Sequence, residues 1–160
     1  MSRLRDDEIR RLISYLRRQT SDESRLAEIE DILRSDEAQD YLRELEILAY
    51  FPPIEETFRI SSVQWNLRII PHAHLRIVQR GIPVPTLTSL FRRFVELSNQ
   101  QGVAITAGNY SVTARLAPHK RRVTVRFDVD QVTEKAGMAH VVTVVIGITT
   151  VDRDENAVEL

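Results

Sequence analysis

The sequence predicts an α+β protein: an N-terminal helical segment followed by one or two helices packed on a four- or five-stranded antiparallel sheet. A change of apolar period along the chain supports this prediction. Apolar residues recur every three or four positions up to about residue 101, and from residue 109 they alternate with polar residues. The first period is typical of amphipathic helices and the second of strands with one buried face.

Charge also divides the chain into unlike parts. Residues 1–56 hold 9 Lys and Arg against 15 Asp and Glu (9 − 15 = −6), whereas residues 57–150 hold 12 against 4 (+8). A basic part favours a polyanionic partner such as RNA, and mutual neutralisation of the two halves across an internal interface explains the asymmetry as well. We predict an acidic helical segment (1–54), a basic α+β domain (55–150) and an acidic tail (151–160).

The acidic segment contains the signals of about three short amphipathic helices. The first covers 5–18, a capping box with Thr20 as N-cap and Glu23 opens the second, and Ser35 precedes the third. The third apolar stripe comprises Tyr41, Leu42, Leu45 and Leu48. Short helices can hide such stripes only against one another or another surface, so we expect a cap on the second half, a protein-partner site or a homo-oligomer contact.

The basic domain begins with residues 54–62, a possible short strand, and an apolar stretch that ends at Pro71. A helix fits 72–80 and stops at Gly81, a residue type typical of helix C-termini. A second helix follows to about residue 101. Alternating runs then predict three strands, with a fourth possible at 103–107 and an acidic tail that frays; the runs are 109–116, 122–129 and 140–150.

Several classes of protein are excluded by what the sequence lacks. It has no cysteine, which excludes disulfides, thiolate metal sites and a Cys nucleophile. It has no signal peptide at its N-terminus and no stretch long enough to span a membrane, so we expect cytoplasmic residence or export by another route, and no membrane partner. Gly-rich phosphate loops, G-x-S-x-G and H-E-x-x-H are absent, so no cofactor and no metal are predicted.

One helix face carries residues suited to phosphate chemistry. At 100° per residue, His72, Arg76 and Arg80 fall within 80° of one another, with Gln79 beside them. Arg binds phosphate bidentately, and His transfers protons near neutral pH. RNA cleavage by its own 2′-hydroxyl needs a base, an acid and a cation, and no metal. A solvated amphipathic face has the same composition, and His74, on the apolar side, is more typical of a core histidine.

The polar face of the predicted sheet carries a second basic set. Three arginines point off the apolar face, and two basic residues sit at the hairpin tip between the strands. The predicted nucleic-acid-binding residues are Arg115, Lys120, Arg121, Arg122 and Arg126. A charged, solvated sheet face is the plain alternative. His140 opens the last strand, while Asp128 and Asp130 look like a turn acid pair.

The stretch His72-Ala73-His74-Leu75-Arg76-Ile77-Val78-Gln79-Arg80-Gly81-Ile82, followed by a helix and a meander closing on Val141-Val142-Thr143-Val144, resembles a family of small bacterial and phage domains with an H-A-x-x-R-x-x-x-R-G-I motif. These domains are similar to the barnase–EndoU–colicin–RelE group of metal-independent RNase toxins. The resemblance covers about residues 66–148. It implies a helix-on-antiparallel-sheet fold and assigns the catalytic positions to His72, Arg76 and Arg80.

Together these observations predict a metal-independent ribonuclease-type toxin or phage effector that acts on RNA phosphodiesters. Two alternative functions are compatible with the same sequence. One is a non-catalytic phage or bacterial regulator that binds nucleic acid or an acidic protein through its arginines. The other is an adaptor built by the N-terminal helices, for which the basic face is incidental.

Overall fold

The computed structural model describes residues 3–36, 38, 47–116, 121–146 and 156–160. This part of the chain contains four α-helices, a 3-10 turn at Ile47–Tyr50 and six strands. The helices are α1 (Asp6–Gln19), α2 (Glu23–Leu33), α3 (Pro71–Arg80) and α4 (Val84–Gln100). The strands are β1 (Ile54–Ile60), β2 (Val63–Ile69), β3 (Gly108–Leu116), β4 (Arg121–Val132), β5 (Ala136–Ile146) and β6 (Asn156–Glu159).

The α+β class is confirmed, but the sheet is larger than predicted and mixed rather than antiparallel. Its strand order is β1-β2-β5-β4-β3-β6. Neighbouring strands are antiparallel except at two places, where β2 pairs parallel with β5 and β3 parallel with β6. The β1–β2 hairpin extends the predicted meander on one side, and β6, from the predicted acidic tail, extends it on the other.

Two local predictions about strands need correction. Residues 103–107, proposed as a possible fourth strand, form no strand. Part of the predicted frayed tail is instead β6, because Val158 and Leu160 pack against the core and the Leu160 amide donates to the Thr113 carbonyl at 2.9 Å. Burial of these two apolar side chains explains why the end of an acidic stretch pairs with the sheet.

The main core lies between α4 and one face of the sheet. Phe91 on α4 is fully buried and meets Trp65, Phe127 and Phe58 edge to face, with ring centroids 5.0, 5.1 and 6.0 Å away. Edge-to-face contacts place the positive ring edge on the negative ring face, so they stabilise beyond simple burial. The opposite face of the sheet is therefore free of α3 and α4.

A second core joins the N-terminal helices to α3. Leu75 belongs to this cluster, whereas Ala73 and Ile77 of the same helix belong to the main core. The other members of the second core come from the N-terminal segment, including Leu12, Leu16, Ile29 and Phe51. Helix α3 is thus covered on both sides, and α1 and α2 form a cap over it. A protein partner or homo-oligomer contact through these helices stays a prediction.

Helix ends follow the sequence signals in one case and depart from them in another. Gly81 ends α3 in the left-handed conformation (φ 69°), and the Ile82 amide donates to the Ile77 carbonyl at 2.9 Å, as in a Schellman cap. At α2 the N-cap is Asp22, whose carboxylate accepts from the Arg25 amide at 3.1 Å, so the predicted capping box at Thr20 is wrong.

Tyr41, Leu42 and Leu45, which carry the predicted third N-terminal helix, lie outside the described residues, and Leu48 falls in the 3-10 turn. Of the helices that the structure describes, none has the length and hydropathy needed to cross a membrane.

Candidate functional site

The C-terminal part of the His72–Arg80 stripe of α3 packs against α1. Gln79 is buried, and its side-chain amide donates to the Glu8 carboxylate at 2.8 Å. Arg11 of α1 donates from Nε to the Gln79 carbonyl at 2.8 Å. Arg76 donates from Nη1 to the Gln79 side-chain oxygen, also at 2.8 Å. These bonds make the centre of the stripe an interface between α1 and α3.

Burial also lowers the pKa values of the two residues at the ends of the stripe, His72 and Arg80. Desolvation lowers the pKa of the His72 imidazole, and the neighbouring Arg76 charge lowers it further. Desolvation also lowers the pKa of Arg80, against the opposing effect of the Glu8 carboxylate, and the Arg80 Nε is buried without a hydrogen bond in the described structure. His72 is half-buried, so its neutral form is favoured next to the Arg76 guanidinium.

His74 is a core histidine with a satisfied ring nitrogen. Its Nδ1 lies 2.8 Å from the Pro52 carbonyl oxygen and donates to it, while Tyr15 and Phe51 contact the ring edge to face at 5.3 and 5.5 Å. Because the ring is enclosed, desolvation lowers the pKa of His74. This residue holds α3 to the segment that leads into β1.

The open face of the sheet, opposite α4, carries a continuous row of polar side chains across five strands. Strand register places each member next to the following one: Glu55, Arg68, His140, Asp128 and Asn109. We call these residues the cross-strand row. Side chains at matching positions of paired strands point to the same face and lie within reach of one another.

His140, at the centre of the row, is oriented by a carboxylate. Its Nδ1 lies 2.6 Å from Asp130 Oδ2, and about one third of each side chain is exposed (32% and 38%). A carboxylate accepts hydrogen bonds, so Nδ1 carries the proton and donates it, which leaves the Nε2 lone pair directed away from Asp130. The register between β4 and β5 shifts between Val129 and Gln131, and Asp130 falls within this bulge.

Arginines lie on two sides of the His140–Asp130 pair. Arg68 neighbours His140 in the row and is close to Glu55, with Nη1 3.9 Å from that carboxylate. Arg126 lies on the other side, with Nε 3.5 Å from Asp128 Oδ1. The Asn109 amide bridges this pair when it takes the orientation that suits both partners, in which its nitrogen donates to Asp128 at 2.8 Å and its oxygen accepts from Arg126 Nη2 at 3.1 Å. The row thus combines a histidine that can accept a proton with two partly exposed guanidiniums.

Three of the predicted nucleic-acid-binding arginines share the open face: Arg115, Arg122 and Arg126. Arg115 and Arg122 are register partners on β3 and β4, and Arg122 forms an ion pair with Glu159 of β6. Arg126 lies on the same face, nearer the cross-strand row. Lys120 and the side chain of Arg121 lie outside the described residues.

The structure does not bring the predicted catalytic residues of α3 together with the predicted nucleic-acid-binding residues of the sheet. Helix α3 packs on the apolar face of the sheet, so His72, Arg76 and Arg80 are separated by the sheet from Arg126. Sequence reasoning overlooked Arg68 altogether and interpreted Asp130 as part of a turn. The only available signal was the placement of Asp130 and His140 at the ends of adjacent strands.

No metal-binding cluster is found in the described ranges: they hold no group of three or more His, Asp or Glu side chains arranged for a metal ion. Searches with protein-family models, among curated proteins and among solved structures gave no match to this chain. The resemblance to RNase toxins stays a prediction from the motif at residues 72–82.

Proposed function

We propose that the chain is a metal-independent ribonuclease whose catalytic base is His140 on the open sheet face. The observation that carries this proposal is the 2.6 Å contact between His140 Nδ1 and Asp130 Oδ2. It fixes the ring and its tautomer and leaves Nε2 free to accept a proton. The buried stripe of α3 gives weaker support to His72 as the base, since Gln79 at its centre is bonded to α1.

In the proposed reaction, His140 Nε2 takes the proton from a ribose 2′-hydroxyl. The 2′-oxygen attacks the adjacent phosphorus, the bond from phosphorus to the 5′-oxygen breaks, and the 5′-oxygen takes a proton from solvent at this exposed face. The products are a 2′,3′-cyclic phosphate and a 5′-hydroxyl. Arg68 and Arg126 supply positive charge for the phosphorane oxygens, and Asp130 acts as a positioning residue.

Charge balance on this face favours a short stretch of RNA. Glu55, Asp128 and Asp130 interleave with the two arginines, so phosphate is attracted beside the guanidiniums and repelled elsewhere. The proposed role is that of a toxin or phage effector acting in the cytoplasm, where its RNA substrate is found.

The test compares two histidine variants of the full-length protein on RNA in the presence of EDTA. His140→Ala is expected to lower the cleavage rate by about 10²- to 10⁴-fold, the usual contribution of a general base. His72→Ala is the matched control and should retain cleavage. Cleavage that survives His140→Ala and is lost in a folded His72→Ala protein would return the base to the α3 motif. Absence of cleavage by the wild-type protein would exclude the ribonuclease.

A specific observation also favours a non-catalytic role in binding RNA or another polyanion. Arg115 and Arg122 are directly opposite each other on β3 and β4, and like charges so placed destabilise a sheet unless an anion lies between them. Glu159 offsets one of the two charges. Binding that weakens steeply with salt and is equal in wild-type and His140→Ala proteins, without product, would support this second function.

A further inference from the structure

A concavity of about 400 Å³ lies on the open sheet face beside the cross-strand row. Its walls come from β1, β2, the end of β4 and the start of β5. The polar side chains that line it are uncharged amides and hydroxyls with one lysine: Thr57, Gln64, Asn66, Gln131, Thr133 and Lys135. Met138 adds an apolar surface, and it is 41% exposed although it lies within a strand.

The concavity adjoins the proposed catalytic group. Asn66 and Met138 are register partners, and each lies two residues before a member of the row, Arg68 and His140 respectively. Residues two apart on a strand share a face and are separated by roughly 7 Å. A ligand seated between Asn66 and Met138 therefore lies one side chain away from His140.

Asn66 supplies the most specific feature of this site. Its side-chain oxygen is buried and accepts no hydrogen bond within the described structure. A buried acceptor without a donor is unfavourable, so a turn of the Asn66 side chain that brings this oxygen to a ligand N–H in the concavity gains more than an ordinary exposed hydrogen bond. Gln64 and Gln131, which also line the concavity, offer further donors and acceptors around it.

We infer that this concavity is a nucleobase subsite that selects the nucleotide whose 2′-hydroxyl faces His140, an inference that rests on the proposed ribonuclease function. Side-chain amides pair with the hydrogen-bonding edges of bases, and the polarisable Met138 thioether suits contact with a flat aromatic ring. A base seated against Asn66 carries its ribose toward the row. Arg59, Glu134 and Lys135 line a second, adjoining concavity, where the two basic side chains outnumber the one carboxylate and suit the neighbouring phosphate.

The test measures binding of the four nucleoside 3′-monophosphates to the full-length protein by calorimetry or NMR. At least one should bind, and Asn66→Ala should weaken it by about tenfold or more, as loss of a base-reading contact does. Asn99→Ala is the matched control, because this asparagine is exposed on α4, on the other side of the sheet. The exposed Gln131→Ala, a second variant that spares the sheet interior, should weaken binding by a smaller factor.

His140→Ala separates the subsite from catalysis. This variant should bind the same nucleotide as the wild-type protein while RNA cleavage is lost. Absence of nucleotide binding, or binding that Asn66→Ala leaves unchanged, overturns the subsite even if RNA is cleaved through His140. Binding that depends on Asn66 in a protein that does not cleave RNA overturns the ribonuclease and leaves the base site in place.

Discussion

Gln79 and Glu8 are 71 residues apart in sequence, yet the Gln79 side-chain amide donates to the buried Glu8 carboxylate at 2.8 Å. The same carboxylate accepts from the Arg5 amide at 3.1 Å through its other oxygen, so one side chain both caps α1 and holds α3. A residue that shares a helix face with the predicted catalytic positions thus contributes to the contact between the acidic and the basic halves.

Replacing Glu8 should loosen this contact. Glu8→Ala leaves the buried Gln79 amide without its acceptor and removes the charge nearest Arg80, so we expect a loss of about 2–3 kcal/mol in the free energy of unfolding. Urea titration followed by emission of Trp65, the only tryptophan, measures it. Glu96→Ala, at an exposed position of α4, should change the same quantity by less than about 0.5 kcal/mol. Equal effects of the two substitutions would contradict this account.

Stability should fall in mild acid because of His74. Desolvation lowers the pKa of this residue in the folded state below its ordinary value of 6.5, so below that pH the unfolded chain binds a proton that the folded chain does not. The stabilising contribution of neutral His74 is complete above pH 6.5 and is lost as the pH falls toward the folded-state pKa. We expect a lower urea midpoint at about pH 5.5 than at about pH 8.

His74→Gln provides the comparison for this pH effect. Glutamine can still donate toward the Pro52 carbonyl but does not titrate, so the difference between the midpoints at the two pH values should shrink. Titration of the carboxylates is common to the wild-type and His74→Gln proteins, so its effect cancels when their midpoint differences are compared. An unchanged difference would show that other groups cause the acid sensitivity.

Gly137 should not tolerate a side chain. A Cβ atom at this position would lie 2.5 Å from Cε3 of the Trp65 indole, which packs directly over the glycine from the neighbouring strand. We expect Gly137→Ala to destabilise the fold by about 1–3 kcal/mol, the usual cost of overpacking. The cost should be smaller in a Trp65→Leu background, which gives a double-mutant cycle. If both backgrounds lose the same free energy, the indole is not the obstacle.

Asp130 should matter to the reaction more than to affinity. Asp130→Asn can place a donor against His140 Nδ1, which reverses the tautomer and turns Nε2 from an acceptor into a donor. We expect kcat for RNA cleavage to fall by roughly 10- to 1000-fold with KM nearly unchanged. Asp128→Asn, which alters the carboxylate beside Arg126, is the control and should act mainly on KM. A change in KM alone for Asp130→Asn would argue against a positioning role.

Local structure could be predicted from the sequence wherever neighbouring residues determine it. The apolar spacing and Gly81 locate α3, and the alternation through β3 and β4 correctly assigns Arg115, Arg122 and Arg126 to the polar face. Each of these features depends on a period or a turn within a few residues. The same reasoning identifies the residues that share a helix face, such as Arg76 and Gln79.

Relationships between distant segments could not be predicted in this way. A helical wheel shows that Gln79 lies beside His72, but it does not show that α1 covers Gln79. The parallel pairing of β2 with β5 depends on packing of the whole sheet. Only this pairing brings Arg68 next to His140. The bulge that points Asp130 toward His140 adds one residue to a strand, which alternation alone cannot reveal.

The parallel pairing of β2 with β5 determines how late in synthesis the cross-strand row can form. Arg68 and His140 are 140 − 68 = 72 residues apart, and their strands meet only after α3, α4 and the β3–β4 hairpin have been made. Such non-local closure is slow compared with helix formation. A nascent chain therefore carries the complete His72–Ile82 motif long before the cross-strand row can form. If the proposed reaction takes place on this row, it requires that most of the polypeptide has already been synthesised.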